Sequence, residues 1–281
     1  MILVTGASGN VGSELVPQLL DLNRPVRVLT RDPHKVAQWS GRVDCAIGSF
    51  DQPETLDAAM QGVEQMYLMT ADIGTQHVEA ALTAAKHAAV RHIVYLSSMG
   101  AHDPTLLIGK WHHDREEVIR ASGVDWTFLR PGNLMSNTLM WAETIKTQGA
   151  VYYPGGEGKT APIDPRDIAT IAAVALTQPG HEGGIYELTG DEALTGSQQA
   201  EILSRVLGKP LRYTDVPPAA ARDGMLQSGM PTELADGVMQ LYTRMRDDHI
   251  AQMTDTFERV AGRKPRRFEA WCRDHMAAFQ M

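Results

Sequence analysis

The sequence predicts an α/β protein: a doubly wound parallel sheet followed by a smaller, mostly helical C-terminal lobe. Three observations predict it. Short apolar runs alternate with helical stretches through the first half. A glycine-spaced loop joins the first run to the first helical stretch. The alternation stops after Arg130-Pro131-Gly132, beyond which helical patterns dominate.

The apolar runs are Ile2-Leu3-Val4, Val26-Arg27-Val28-Leu29, Val43-Asp44-Cys45-Ala46-Ile47, Met66-Tyr67-Leu68-Met69, His92-Ile93-Val94-Tyr95-Leu96 and Val124-Asp125-Trp126-Thr127-Phe128-Leu129. Helical stretches fall near 10–22, 53–61, 74–89 and 111–122, with a weaker signal at 33–40. Strands separated by helices imply right-handed crossovers and a parallel sheet. The stretch at 74–89 is rich in alanine, which lets a helix lie close against a sheet. Further on, Gly155-Gly156-Glu157-Gly158 reads as a loop. Asp164-Pro165-Arg166-Asp167 reads as a helix start, with an N-cap, a proline in the first turn and an acidic residue behind it. Gly184-Ile185-Tyr186-Glu187-Leu188 reads as a strand. From Ser197 on we expect several helices and one strand near 211–215. The expected division is 1–132, with 164–190 packing back onto it, and 133–281 as a substrate lobe. Met225, Met230, Met239, Met245 and Met253 either line an apolar pocket there or fill its core.

Composition narrows the function. The 281 residues are 43% hydrophobic and 21% charged, enough to bury a core without disulfides, which excludes disordered and disulfide-scaffold classes. With 26 basic against 34 acidic residues the formal net charge is −8, which argues against nucleic-acid binding. Arg263, Lys264, Arg266 and Arg267 form the one basic cluster, and it is short. Cys45 and Cys272 are far apart, in no metal-ligand spacing, and read as free thiols; no metal is expected. No apolar run spans a bilayer, and Met1 already begins a strand pattern, so no membrane contact and a cytoplasmic location are expected. A homodimer or a protein partner is left open.

The loop Thr5-Gly6-Ala7-Ser8-Gly9-Asn10-Val11-Gly12 carries the chemistry. Gly6 allows a sharp turn, Gly9 lets backbone approach a diphosphate, and Gly12 lets the helix pack close to the sheet. The first amides of that helix then face the phosphates. At the end of the second run, where an acidic side chain would read a free ribose 2′-hydroxyl, stands Arg31. A guanidinium suits a phosphate, so the residues favour NADPH over NADH. Asp51 is placed to accept from the adenine amine with Phe50 beside the ring, or else to cap the stretch after Pro53. Thr70, Ala71 and Asp72, after the fourth run, are expected to face the central riboses.

These motifs resemble the short-chain dehydrogenase/reductase superfamily in its atypical, NmrA-like branch. So do Ser122-Gly123-Val124-Asp125-Trp126-Thr127-Phe128-Leu129-Arg130-Pro131-Gly132, Asp164-Pro165-Arg166-Asp167-Ile168-Ala169, and a tail of Thr254-Asp255 with Ala261-Gly262-Arg263-Lys264-Pro265. The resemblance implies a Rossmann-type fold and is nearest to bacterial NAD(P)H:quinone oxidoreductases and triphenylmethane dye reductases. It implies that Leu134, Met135, Ser136 and Asn137 pass near the nicotinamide. One departure matters. With Glu116 as anchor, the superfamily's Tyr-x-x-x-Lys pair falls on Ile108 and His112. Isoleucine has no proton to give, which argues against alcohol dehydrogenation and epimerisation. Hydride transfer to a quinone, enone or cationic dye remains. His112 is the catalytic candidate, bonding the nicotinamide ribose or polarising the acceptor oxygen; capping is its plain alternative. His113 faces another way, so the two form no metal pair. Ser97 either steadies a substrate carbonyl or only holds the sheet edge. Trp111, Trp141, Tyr152 and Tyr153 are expected to border the cleft. Two functions follow: an NADPH-dependent reductase of small conjugated acceptors, or a non-catalytic NADP(H)-binding redox sensor of the NmrA type.

Overall fold

The structure is a computed structural model that describes residues 1–247 and 252–280. It comprises two compact units. The first is Met1–His102, Gly109–Pro131 and Pro165–Glu187; the second is Asp103–Ile108, Gly132–Asp164 and the chain from Leu188 onward.

The chain opens with β1 (Ile2–Val4), α1 (Gly12–Asp21), β2 (Val26–Thr30), β3 (Asp44–Ile47), α2 (Leu56–Met60), β4 (Gln65–Leu68), α3 (Gln76–His87), β5 (His92–Leu96), α4 (Leu107–Arg120) and β6 (Asp125–Pro131). There follow α5 (Ala142–Gln148), β7 (Ala150–Tyr153), β8 (Lys159–Thr160), α6 (Pro165–Thr177), β9 (Gly184–Leu188), β10 (Leu194–Thr195), α7 (Gly196–Leu207), β11 (Arg212–Asp215), α8 (Pro218–Gln227), α9 (Thr232–Arg246), α10 (Thr256–Ala261) and α11 (Phe268–Asp274).

The main sheet has the order β3-β2-β1-β4-β5-β6-β9. The pairings among the first six strands are all parallel. The order reverses between β1 and β4, which is where doubly wound sheets bind their ligands. The alanine-rich α3 buries Val78, Ala81, Leu82 and Ala85 with Met66, Leu68, Ile93 and Tyr95 of the sheet. α1 and α6 are tied by Gln18, whose side-chain amide donates to the Arg166 carbonyl at 3.1 Å.

Three local expectations change. The weak signal at 33–40 is a 3-10 turn, Pro33–Trp39, started by Asp32, whose side chain accepts from the His34 amide at 3.0 Å. The stretch at 53–61 divides into a 3-10 turn, Pro53–Thr55, and the short α2. α4 begins at Leu107 rather than near 111, because the Leu107 amide donates to the Gln240 side-chain oxygen at 2.7 Å. That cap comes from 133 residues away, so no local pattern announces it.

The second unit has its own core, with Trp271, Phe268, Phe279, Tyr153, Trp141 and Leu203 at its centre. Its small sheets pair β11 parallel to β7 and β10 antiparallel to β8. Most of the methionines answer to packing: Met245 is buried in this core, Met225 and Met239 lie against it, and Met253 is exposed. The basic cluster is not a bare stripe. Arg266 pairs with Asp164 at 2.8 Å and also with Asp274, and Arg263 sits 4.8 Å over the Phe257 ring. Cys45 is exposed and Cys272 buried, both as free thiols. Among the described residues no helix is long and apolar enough to cross a membrane.

Candidate functional site

The glycine loop is built from steric necessity. Gly6 has φ +61°, the left-handed region, and its carbonyl accepts from the Gly9 amide at 2.9 Å. A Cβ on Gly12 would lie 2.2 Å from the Gly6 carbonyl oxygen and 2.8 Å from the Ala7 Cα. So the third glycine is required by the loop's own backbone, not by contact with the sheet as its spacing suggested. The amides of Asn10, Val11 and Gly12 donate to no carbonyl among the described residues. Val11, at the N-cap of α1, supplies no side-chain cap. The start of this ten-residue helix therefore presents bare N–H groups and positive potential. Thr5 fixes the loop across the switch point: its hydroxyl donates to the Tyr67 carbonyl at 3.1 Å and accepts from the Met69 amide at 2.8 Å.

A cavity of about 300 Å³ opens beside this loop. Of the predicted residues, Gly6, Ser8, Gly9, Arg31, Phe50, Asp51, Thr70 and Ala71 line it. Asn10, Val11, Gly12 and Asp72 are not part of that lining, although the first three supply the bare amides. Asp72 is instead drawn to α3: its carboxylate accepts from the His77 amide at 3.2 Å and lies 3.6 Å from the Arg115 guanidinium. Asp51 does not cap the turn after Pro53, whose N-cap is Gln52; its Oδ1 lies 2.9 Å from His77 Nε2. The His77 ring in turn lies 5.5 Å from that of Phe50. Among the lining residues that sequence reasoning did not assign to the site are His77 and Lys35. His77 is far in sequence from Phe50 and Asp51, so no spacing links them. Lys35 stands four residues after Arg31, inside the 3-10 turn that the weak helical pattern at 33–40 obscured. Arg31 and Lys35 are both exposed and make no ion pair among the described residues.

α4 carries Ile108, His112 and Glu116 at four-residue spacing, hence on one face. Glu116 is fully buried and fully occupied. Ser97 donates to it at 2.5 Å, Arg130 grips both oxygens at 2.9 and 2.5 Å, and Arg120 reaches it at 3.1 Å. Burial alone would raise its carboxyl; these donors and the two guanidinium charges outweigh that and hold it below its ordinary value. Ser97 is thus engaged by Glu116, which leaves the expectation of a substrate-steadying serine without its hydroxyl proton. Arg115, also buried, pins the loop after β4 by donating to the Gly74 carbonyl at 2.7 Å and to the Asp72 carbonyl. His112 is half-buried, and its Nδ1 is enclosed with no partner among the described residues. Burial first, and the Arg115 charge second, push its pKa down to about 4, against an opposing pull from Glu116. The ring is therefore neutral at physiological pH and offers one N–H and one lone pair.

The stretch 134–137 belongs to the second unit. Leu134 bridges to Ile163, Met135 is buried in the core, and the buried Ser136 hydroxyl has no partner among the described residues. Asn137, Trp141 and Tyr153 line a cavity in that unit. Tyr152 is turned elsewhere: its hydroxyl donates to Gln148 and accepts from Arg212, both at 2.9 Å. Trp111 is half-buried on α4.

The model of a family described as NAD(P)H-binding matches residues 6–179. The chain belongs to this NAD(P)H-binding family. It is similar along its whole length to an NAD(P)H azoreductase of Xenophilus azovorans, with 41% identity over 99% of each chain. It is also similar to a (4-alkanoyl-5-oxo-2,5-dihydrofuran-3-yl)methyl phosphate reductase of Streptomyces griseus, with 39% identity over 99% of each chain. Among solved structures, the NADPH complex of an NADPH-dependent quinone oxidoreductase from Escherichia coli superposes with a TM-score of 0.86 at 27% identity, covering 99% of this chain and 100% of the other. The NmrA-like, atypical short-chain dehydrogenase/reductase architecture read from the motifs is the architecture found. An NAD(P)H-binding chain needs a cradle for a pyrophosphate, and a loop in which a Cβ would collide with backbone while three amides stand bare fits that need.

Proposed function

We propose that this NAD(P)H-binding chain is an NADPH-dependent reductase of quinones or similar conjugated acceptors. One observation carries the reading. The α4 positions that hold a proton-donating tyrosine and a lysine in the wider superfamily hold Ile108 and a neutral, enclosed His112. Such a site suits an acceptor whose charge is delocalised and whose proton comes from water. Its full-length relatives are named reductases, which supports this reading over a sensor.

In this reading the amides of Asn10, Val11 and Gly12 hold the pyrophosphate. Arg31 and Lys35 share the ribose 2′-phosphate, Phe50 and His77 flank the adenine, and Thr70 and Ala71 border the riboses. Asp51, paired with His77, holds that ring against the base. NADPH, when bound, supplies a hydride; with one proton from water a quinone becomes a hydroquinone and NADP⁺ remains. His112, being neutral, donates a hydrogen bond without adding charge, and Glu116, clamped by Arg130 and Ser97, fixes the helix that carries it. The exposed, unpaired Cys45 suits a reducing cytoplasm.

The test combines affinity with turnover. Arg31→Ala/Lys35→Ala weakens NADPH binding by roughly 100-fold, as expected for the loss of two charge-assisted contacts, and changes NADH binding by less than about twofold. A double variant that keeps its NADPH preference sinks the assignment of these two residues. Absence of NADPH oxidation with a panel of quinones, enones and azo dyes, alongside tight NADP binding, favours the sensor instead.

A further inference from the structure

The second unit encloses a cavity of about 250 Å³ walled by Trp141, Tyr153, Tyr242 and Met245, with Met140 also in its lining. Trp141 meets Tyr153 edge-on at 5.5 Å, and Tyr153 meets Tyr242 edge-on at 5.3 Å. Two tyrosine–methionine pairs stand in this wall, and they differ. The Tyr153 hydroxyl donates to the Met245 sulfur at 3.1 Å, and both residues are buried. The Tyr242 hydroxyl reaches the Met140 sulfur only at 3.9 Å; Tyr242 is buried, but Met140 is 62% exposed. A thioether is a weak acceptor, and at that distance it leaves a buried hydroxyl poorly satisfied. Burial pushes the Tyr242 pKa up to about 12, so the hydroxyl keeps its proton and remains a donor. The pair joins elements far apart in the chain: Met140 sits in the 3-10 turn Met135–Trp141, and Tyr242 on α9. Met253, at 53%, is the other exposed methionine among the described residues, and no hydroxyl among them meets its sulfur.

We propose that Met140 is a redox modification site: a hydroperoxide converts its thioether to the sulfoxide, whose oxygen takes the Tyr242 hydroxyl and ties the 135–141 turn to α9 at the rim of the cavity. The sulfur lone pair attacks a peroxide oxygen, the O–O bond breaks and an S–O bond forms. Sulfur gives up two electrons, and hydrogen peroxide, having accepted them, leaves as water. Exposure decides which sulfur reacts, so Met140 and Met253 are open to the oxidant and Met245 is shielded. Of the two open sulfurs, that of Met140 alone has a hydroxyl beside it among the described residues. Oxidation disrupts a core when it puts a polar group where an apolar one packed. Here the side chain lies in solvent, its unbranched chain is free to turn the new oxygen to the hydroxyl, and a strong acceptor replaces a weak one. The oxidant has a source in the proposed function, and the inference rests on that reading for this alone. A hydroquinone reoxidised by dioxygen returns the quinone and hydrogen peroxide.

The test adds hydrogen peroxide to the full chain, locates the sulfoxides by peptide mass spectrometry and records melting curves before and after. Met140 and Met253 react within about threefold of the rate of free methionine, and Met245 at least about 30-fold more slowly. The Tm rises by about 2 °C, as one added hydrogen bond produces in a chain of this size. The rise disappears in Tyr242→Phe, which keeps the ring and loses the donor, and it persists in Met253→Leu. Met140→Leu, at an exposed position, also removes it and decides the matter should Tyr242→Phe fold poorly. An unreacted Met140, no rise on oxidation, or a rise that survives in Tyr242→Phe or Met140→Leu overturns the proposal. Because the peroxide is supplied, the result does not depend on turnover. A Tyr242-dependent rise in a protein that oxidises no NADPH with quinones keeps this site and removes the reductase. Quinone turnover without such a rise does the reverse.

Discussion

The cradle in the first unit and the cavity in the second are built from different parts of the chain. The cradle uses backbone: amides at 10–12, a carbonyl at Gly6, and glycines whose missing Cβ atoms leave room. Its lining adds two cations four residues apart in sequence, Arg31 and Lys35. The cavity draws on positions as distant as Asn137 and Met245, and it carries no charge among the described lining. Backbone recognition restricts residue type at fixed spacing and so leaves a mark in the sequence. A wall of side chains needs only bulk and apolarity, which any core also needs.

The sharpest way to break that contrast is to compare the two units' charge pairs. Glu116 is the buried hub of the first unit, and Glu116→Ala strands the Arg130 guanidinium. That costs about 3 kcal/mol, read as a fall in Tm of several degrees. The Arg246–Asp215 pair of the second unit is a third or more exposed on both sides, so Asp215→Asn costs less than about 1 kcal/mol. Similar melting losses for both would mean that burial is not what distinguishes them. Next in size, Gly12→Ala weakens NADPH at least about 30-fold, roughly 2 kcal/mol, because the new methyl meets the Gly6 carbonyl. Fluorescence titration with NADPH decides; unchanged affinity would mean that the loop tolerates the methyl.

The smallest effect sharpens the role of His112. Its pKa is lowered from 6.5 to about 4, so the folded state resists a proton that the unfolded chain accepts. Its contribution is full above pH 6.5 and is lost as pH falls from there toward 4. Discounted for partial exposure, it amounts to no more than about 2 kcal/mol. His112→Asn should flatten the stability curve across that interval, while the deeper acid loss tied to Glu116 persists, since the Glu116 carboxyl is held below its ordinary value. Denaturant melts at pH 7, 6, 5 and 4 show it; an unchanged slope would mean that His112 titrates as a solvated ring.

What could be read beforehand divides along the same line. Gly6, Gly9, Gly12 and Arg31 were legible because a turn, a close approach and a strand end each demand a residue type at a set distance. The missing tyrosine at Ile108 was legible because a proton donor cannot be replaced by a hydrocarbon. Lys35 was hidden by a 3-10 turn too short to show a helical period, and His77 by its 26-residue separation from Asp51.

Alone, the sequence determined the alternation of strands and helices, the glycine loop and the loss of the usual acid, all consequences of local backbone geometry or of side-chain chemistry. Tertiary structure decided the rest. It gave Ser97 to Glu116, turned Asp72 toward α3, capped α4 from Gln240 and left one indole N–H without an acceptor inside an aromatic wall. Each of those depends on which distant side chains come within about 3 Å of one another, a matter settled by how elements pack and not by the residues on either side.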